Sequence, residues 1–285
     1  SNAKLFGMLP NFFEVPVADR SVTVAEGQTL SLGSHTLQFF MAPMVHWPEV
    51  MVTYEQSEKI LFSADAFGKF GTLDTDEDWA CEARRYYFNI VGKYGMPAQA
   101  LLKKAAGLDI QKICALHGPI LTENLEYYIG KYQLWSTYTP EDEGIFIAYC
   151  SLHGNTEKAA KKLAEILEAK GAPKVAISDL SRDDMAECIE DAFRYDRLVL
   201  AAPTYDGGVM PVMADFINHL KMKAYQKRKV AFIENGSWAP MAAKLMKEQM
   251  SAMKDIEIVD EHVTIRSAFK QSDVAALEAL AGKLL

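Results

Sequence analysis

The chain has 285 residues, of which 49% are hydrophobic and 24% charged, and it carries a formal net charge of −8. These are the proportions of a soluble globular protein with one large or two ordinary domains. The acidic balance argues against a nucleic-acid partner, whose phosphates demand a basic surface, and no apolar run approaches the ~18–20 residues of a membrane span.

No basic region followed by an apolar stretch opens the chain, so no signal peptide is expected. The initial Ser-Asn-Ala reads either as an expression scar or as continuous with KLFGMLPNFF, and it carries no candidate site residue. The four cysteines, Cys81, Cys114, Cys150 and Cys188, form no C-x-x-C pair. Scattered thiols fit reduced, mostly buried residues of a cytoplasmic protein and give no sign of a rubredoxin-type metal module.

Taken in order, SVTVAEGQTLSLGSHTLQFFMAP (residues 21–43) predicts short antiparallel or mixed strands broken by glycine turns. VMVTYEQSEKILFSAD (50–65) has the pattern of a hairpin, and residues 78–107 are mainly helical. QKICALHGPI (111–120) is a short apolar strand expected to end at His117. STYTPEDEG (136–144), polar and carrying Pro140, is the expected interdomain linker. The predicted domains are therefore residues 4–138 and 144–285.

Beyond the linker the alternation is regular. IFIAYC (145–150) is nearly all apolar, as in a parallel strand covered on both faces, and an amphipathic segment ending at Gly171 follows it. Four more strand–helix pairs begin at KVAISDL (174–180), RLVLAAPTY (197–205), KVAFIENGS (229–237) and IEIVDEHVTI (256–265). Such alternation predicts an α/β fold with a doubly wound, five-stranded parallel sheet.

Three loops fall at the carboxyl ends of these strands, where open α/β sheets bind ligands. SLHGNTEKAA, starting at Ser151, offers hydroxyls, an amide and helix N-terminal N–H groups to a phosphate. It holds one glycine and no following lysine, so neither a Walker loop nor G-x-G-x-x-G fits, and a single monophosphate suits it better than a pyrophosphate. Taken alone, its Ser, Asn and Thr would serve equally well as a helix cap. APTYDGG (202–208) and ENGSWAP (234–240) each add an aromatic able to lie on a flat ring, Tyr205 and Trp238.

With these loops, residues 144–285 resemble a flavodoxin-like domain. The resemblance implies FMN as cofactor. Its phosphate would be held by Ser151, Leu152, His153, Gly154, Asn155 and Thr156. Pro203, Thr204, Tyr205, Asp206, Gly207 and Gly208 would line one side of the isoalloxazine, and Asn235, Gly236, Ser237 and Trp238 the other. His153 stands where relatives often carry an aromatic residue.

In the first half, His46, Asp65 and His117 each close an apolar, strand-like run. Any one of them alone would ordinarily be a cap or a turn residue. Strand ends converge on one sheet edge, however, and one carboxylate with two imidazoles is a usable set for iron or zinc. APMVHWPEVMVTY, ILFSADAFG and LHGPI resemble, in order, the second half of the metallo-β-lactamase-like domain of flavo-diiron proteins, a family that carries a flavodoxin-like domain downstream. The resemblance covers essentially the whole chain. It implies a partial metallo-β-lactamase-like α+β domain in which His46 binds one iron, Asp65 bridges and His117 binds the other. It also implies reduction of O2 to water or NO to N2O, with electrons from rubredoxin or an NAD(P)H-dependent reductase, in a homodimer.

One departure from the family pattern matters. None of the six histidines begins the family's first ligand motif, H-x-E-x-D-H. The chain is therefore expected to be a fragment, split chain or degenerate form holding half a di-iron site, and an FMN electron carrier with a scaffold or dimerisation remnant is the alternative. A halved domain would leave apolar surface in water around Phe39, Phe40, Met44 and Val45, at a cost of ~25 cal/mol per Å², so an oligomeric contact, a rearrangement or a missing companion polypeptide is expected to cover it.

Overall fold

The computed structural model describes residues 1–14, 16, 18–74 and 78–285. By contact the chain divides into two units, Ser1–Thr137 and Tyr138–Leu285.

The first unit opens with α1 (Ala3–Met8), whose N-terminus is capped by Asn2 Oδ1 accepting from Leu5 N. Its sheet comprises β1 (Thr29–Ser31), β2 (Thr36–Met41), β3 (Met51–Glu55), β4 (Ile60–Phe62) and β5 (Lys112–Cys114), hydrogen-bonded in that order. All neighbours are antiparallel except β4 and β5, which are parallel. It follows that β2, β4 and β5 point the same way and their carboxyl ends share one edge. Between β4 and β5 lie α2 (Trp79–Tyr86), a π-helical turn (Tyr87–Val91) and α3 (Gly95–Ala105), and α4 (Leu125–Ser136) closes the unit. Asp78 starts α2 by accepting from Ala80 N.

Strand alternation assigns the faces. Tyr54 and Leu61 stand opposite one another, Leu61 lies beside Ile113, and all three are buried with Val52. On the other face Phe62 is 44% exposed. The apolar surface expected around Phe39 and Val45 is not open: both are buried, and Phe40 and Met44 are half-buried. Gly27 N donates to Phe39 O and Phe39 N donates to Gln28 O, so residues 24–28 fold back along β2. Exposed apolar groups of this unit include Phe12, Phe13, Trp47 and Met96, and also Phe62, Leu116 and Ile120 at and beyond the ends of β4 and β5.

The second unit is a doubly wound sheet: β6 (Asp142–Tyr149), α5 (Asn155–Ala169), β7 (Val175–Asp179), α6 (Met185–Arg194), β8 (Tyr195–Tyr205), the short β9 (Gly208–Val209), α7 (Pro211–Met222), β10 (Arg228–Asn235), α8 (Ala242–Ser251), β11 (Ile256–Ile258), β12 (Val263–Ile265) and α9 (Val274–Leu284). The order β7-β6-β8-β10-β11, all parallel, is the 2-1-3-4-5 arrangement of flavodoxin-like folds. Ile145, Phe146, Ile147 and Ala148 are fully buried because helices cover both faces of β6.

Two details differ from the sequence expectation. The first strand begins at Asp142, inside the expected linker, and a register shift separates Asp142 from Ile145. The fifth strand is two pieces, β11 and β12, which pair in succession with β10. Asp260 to His262 leave the sheet between them, exposed, as charged residues flanked by buried sheet positions must be.

Candidate functional site

In the second unit a cavity of about 610 Å³, a common size for a small-molecule site, opens at the carboxyl edge of the sheet. It is lined by Ser151, Leu152, His153, Asn155 and Thr156 after β6, by Pro203, Thr204, Asp206 and Gly207 at the end of β8 and beyond, and by Asn235, Gly236, Ser237 and Trp238 at the end of β10 and beyond. The change of winding direction between β6 and β8 leaves a crevice there. Gly154, Tyr205 and Gly208 are not among the lining residues. Gly154 is the N-cap of α5 at φ 75°, and Tyr205 pairs with Gly208 across the β8–β9 hairpin. Asp206 and Gly207, at φ 48° and 71°, make the two-residue turn of that hairpin, where type I′ geometry favours Asp-Gly.

The phosphate loop meets a chemical test. Gly154 supplies no side chain to cap α5, so the first-turn N–H groups of a 15-residue helix face the cavity with its positive dipole end. Ser151 Oγ is buried and has no hydrogen-bond partner, which is costly unless a ligand pairs with it. Asn155 lines the cavity and also ties loops together. Its Oδ1 accepts from Phe269 N at 3.2 Å and its Nδ2 donates to His153 O at 3.4 Å, so its amide braces loops. Thr204 is likewise employed: its Oγ1 accepts from Met241 N and Ala242 N at 2.9 and 3.1 Å, capping α8. Glu234, buried at the end of β10, accepts from Ala243 N at 2.9 Å and from Thr264 Oγ1 at 2.8 Å. Ala239, within the ENGSWAP loop, and Ser267 and Ala268 complete the lining; the last two had no sequence signal, since they follow a strand with no glycine or phosphate motif.

In the first unit His46, Asp65 and His117 meet at the shared edge of β2, β4 and β5. His46 Nε2 lies 3.6 Å from Asp65 Oδ2, and His117 Nε2 lies 3.9 Å from Asp65 Oδ1. Each carboxylate oxygen thus faces a different imidazole, the arrangement a bridging carboxylate requires. His117 Nδ1 donates to Lys69 O at 2.9 Å, which turns Nε2 toward the carboxylate, as metal-ligating histidines are commonly arranged. The turn bearing Asp65 is fixed on two sides. Ser63 N donates to Cys114 O at 3.0 Å, and Phe67 N donates to the Tyr132 hydroxyl at 2.7 Å.

Tyr86, from α2, escaped the sequence reading because an aromatic on an amphipathic helix looks like core. Its ring stands edge-on to His117 at 4.4 Å and to His46 at 6.4 Å. Burial, with the nearby Asp65 carboxylate, pushes its hydroxyl well above the usual tyrosine range, so it stays a neutral phenol. The three donors fit one carboxylate-bridged edge of a two-metal centre. They are too few to fill two metals that each take about four to six ligands.

A lactamase-like sheet unit with a histidine–aspartate edge, followed by a flavodoxin-like unit with a phosphate loop, defines a two-domain α/β flavoprotein architecture. Comparison with known proteins agrees: residues 4–118 match the family described as ODP family beta lactamase, and residues 146–278 match the flavodoxin domain family. The chain is 30% identical over 257 residues to an uncharacterized protein of Methanocaldococcus jannaschii, covering 88% of this chain and 65% of that one. It is 31% identical over 252 residues to a nitric oxide reductase of Moorella thermoacetica, covering 84% and 61%. The fold superposes on rubredoxin oxygen:oxidoreductase from Desulfovibrio gigas with a TM-score of 0.86 at 24% identity, over 99% of this chain and 71% of that one. The chain belongs to the flavo-diiron protein family. It spans less than two thirds of the length of the Methanocaldococcus jannaschii and Moorella thermoacetica relatives.

Proposed function

We propose that this chain carries the flavin half of a flavo-diiron oxidoreductase that reduces O2 or NO. FMN occupies the cavity at the β6/β8 crevice, and His46, Asp65 and His117 contribute one edge of a di-iron centre. The observation that carries the flavin reading is Ser151 Oγ, buried without a partner beside the uncapped first turn of α5. Bound there, FMN would supply the exchange between one- and two-electron chemistry.

The protein's own residues do the positioning. The α5 N–H groups and Ser151 take the phosphate. Thr204 and Glu234 hold the start of α8 against the sheet, so that the loops facing the ring keep their spacing. At the iron edge Lys69 O orients His117, and neutral Tyr86 packs against both imidazoles without adding charge. Electrons would come from a rubredoxin or an NAD(P)H-dependent reductase, and the working form would be a cytoplasmic homodimer. The exposed Phe62, Leu116 and Ile120 give such a contact apolar surface to cover.

One observation favours a second reading, a flavin electron carrier with a scaffold remnant: the three donors fall short of two complete metals. Iron analysis of the purified chain decides between the two. The flavin assignment is tested by titrating FMN into wild type and Ser151→Ala. Loss of one charge-assisted hydrogen bond should weaken binding by about 1–3 kcal/mol, while riboflavin affinity stays unchanged. Equal FMN affinity in the two proteins would show the phosphate lies elsewhere.

A further inference from the structure

Residues 266–269 belong to neither the phosphate loop nor the two loops that face the ring, yet three tertiary hydrogen bonds of the cavity converge on them. Ser267 Oγ lies 2.7 Å from Ser237 Oγ, and Ser267 O accepts from Asn235 Nδ2 at 2.9 Å. Two residues on, Phe269 N donates to Asn155 Oδ1 at 3.2 Å. This short segment therefore connects the loop after β10 with the loop after β6.

Ser267 also has φ 63°, a left-handed conformation that is unfavourable for any residue with a Cβ and comfortable for glycine. Backbone conformation alone gives no reason for serine. Its hydroxyl does, because it reaches across to the loop that carries Trp238. Trp238 is 90% exposed, so its placement depends on the backbone beside it. A strained residue whose side chain bonds across the edge of a cavity fits the pattern in which strain serves a site.

We propose that Ser267 is a positioning residue for the flavin. Its hydroxyl fixes Ser237, and through Ser237 the backbone that presents Trp238 to the isoalloxazine. The proposal rests on the FMN reading above and concerns the ring end of that site, not the phosphate end.

The test variant is Ser267→Gly, which removes the hydroxyl and relaxes the backbone at once. Affinities for FMN and for riboflavin are measured by flavin fluorescence on the full chain, with visible circular dichroism of the bound flavin. Urea unfolding of the flavin-free protein is run alongside. Ser267→Gly should weaken both ligands by the same factor, about 3- to 10-fold, change the dichroism of the bound ring, and leave flavin-free stability unchanged or raised. Ser237→Ala should give a similar loss, and the double variant no more than either single, since both remove one bond.

Wild-type affinity in Ser267→Gly, additive losses in the double variant, or a fall in flavin-free stability that tracks the affinity would each overturn the proposal. Failure of the wild type itself to take up FMN would instead remove the flavin reading, and this proposal with it.

Discussion

Gly68 offers the sharpest test of the histidine–aspartate edge. A Cβ built on it would lie 2.3 Å from His117 Cε1, 2.6 Å from Nε2 and 2.7 Å from Nδ1. To reach ordinary contact at 3.4 Å in a Gly68→Ala variant, the ring must withdraw by about 1.1 Å. It has little freedom to do so, because Nδ1 is bonded to Lys69 O at 2.9 Å and Tyr86 packs against the ring at 4.4 Å. A shift of that size breaks the Lys69 bond, worth about 0.5–1.5 kcal/mol, and overpacks the Tyr86 side at about 1–3 kcal/mol. The expected loss of stability is their sum, about 1.5–4.5 kcal/mol. Freeing a ligand's supporting hydrogen bond also weakens metal binding by about 10–100-fold. Urea denaturation gives the first quantity and titration with Fe2+ or Zn2+ the second, with the His117 imidazole resonances reporting the ring directly. Gly130→Ala is the control, since a Cβ there meets nothing within 4 Å. A Gly68→Ala protein within 0.5 kcal/mol of wild type, with unchanged imidazole resonances, would refute the packing argument.

Two further expectations concern the flavodoxin-like unit. Arg228 is buried and donates to Tyr195 O and Tyr138 O at 2.7 Å, to Gln226 O at 2.9 Å, and to Phe193 O. Arg228→Met leaves several buried carbonyls unpaired at about 1–3 kcal/mol each. Unfolding followed by circular dichroism should therefore show a loss of about 3–5 kcal/mol, and a loss under 1 kcal/mol would contradict it. Asp142 accepts from Arg194 Nε at 2.7 Å and Lys174 Nζ at 3.0 Å. Its partial burial acts to raise its pKa, but these two bonds outweigh that and hold the carboxyl below its ordinary value. Its contribution is then complete above the unfolded pKa of ~3.9 and is lost as pH falls through the lower folded value. Asp142→Asn should be less stable than wild type at neutral pH, with the gap closing in acid. A gap that stays constant from pH 7 to pH 2 would show the bonds to be without effect.

The alternation of strands and helices after residue 144 was legible because parallel strands covered on both faces are written as apolar runs such as Ile145–Ala148. The hairpin of β3 and β4 was legible for the complementary reason, an alternating pattern around a short polar turn. What could not be read arises from partners distant in sequence. Thr204 can be named from its loop as a cavity residue, but not as the cap of α8 that Met241 and Ala242 make of its hydroxyl. Asn155 can be named from the loop motif, but that its oxygen also accepts from Phe269, 114 residues away, cannot. The split of the fifth strand was hidden because Asp260 to His262 sit between two β-branched runs, and only their exposure shows that the chain leaves the sheet. At the other edge, His46, Asp65 and His117 could be named from strand ends. Tyr86 could not, because it sits on a helix whose angle to the sheet no local pattern encodes.

The makeup of the flavin cavity bears on the speed of capture. Among the described residues that line it there is no lysine or arginine, and the chain as a whole carries −8. An anionic ligand thus travels uphill in the protein's field and is gripped by dipoles only on arrival. Long-range steering, which raises association rates for oppositely charged pairs, here works in reverse. Added salt should screen the repulsion and hasten entry while leaving escape nearly untouched, so that occupancy is governed by how long the ligand stays.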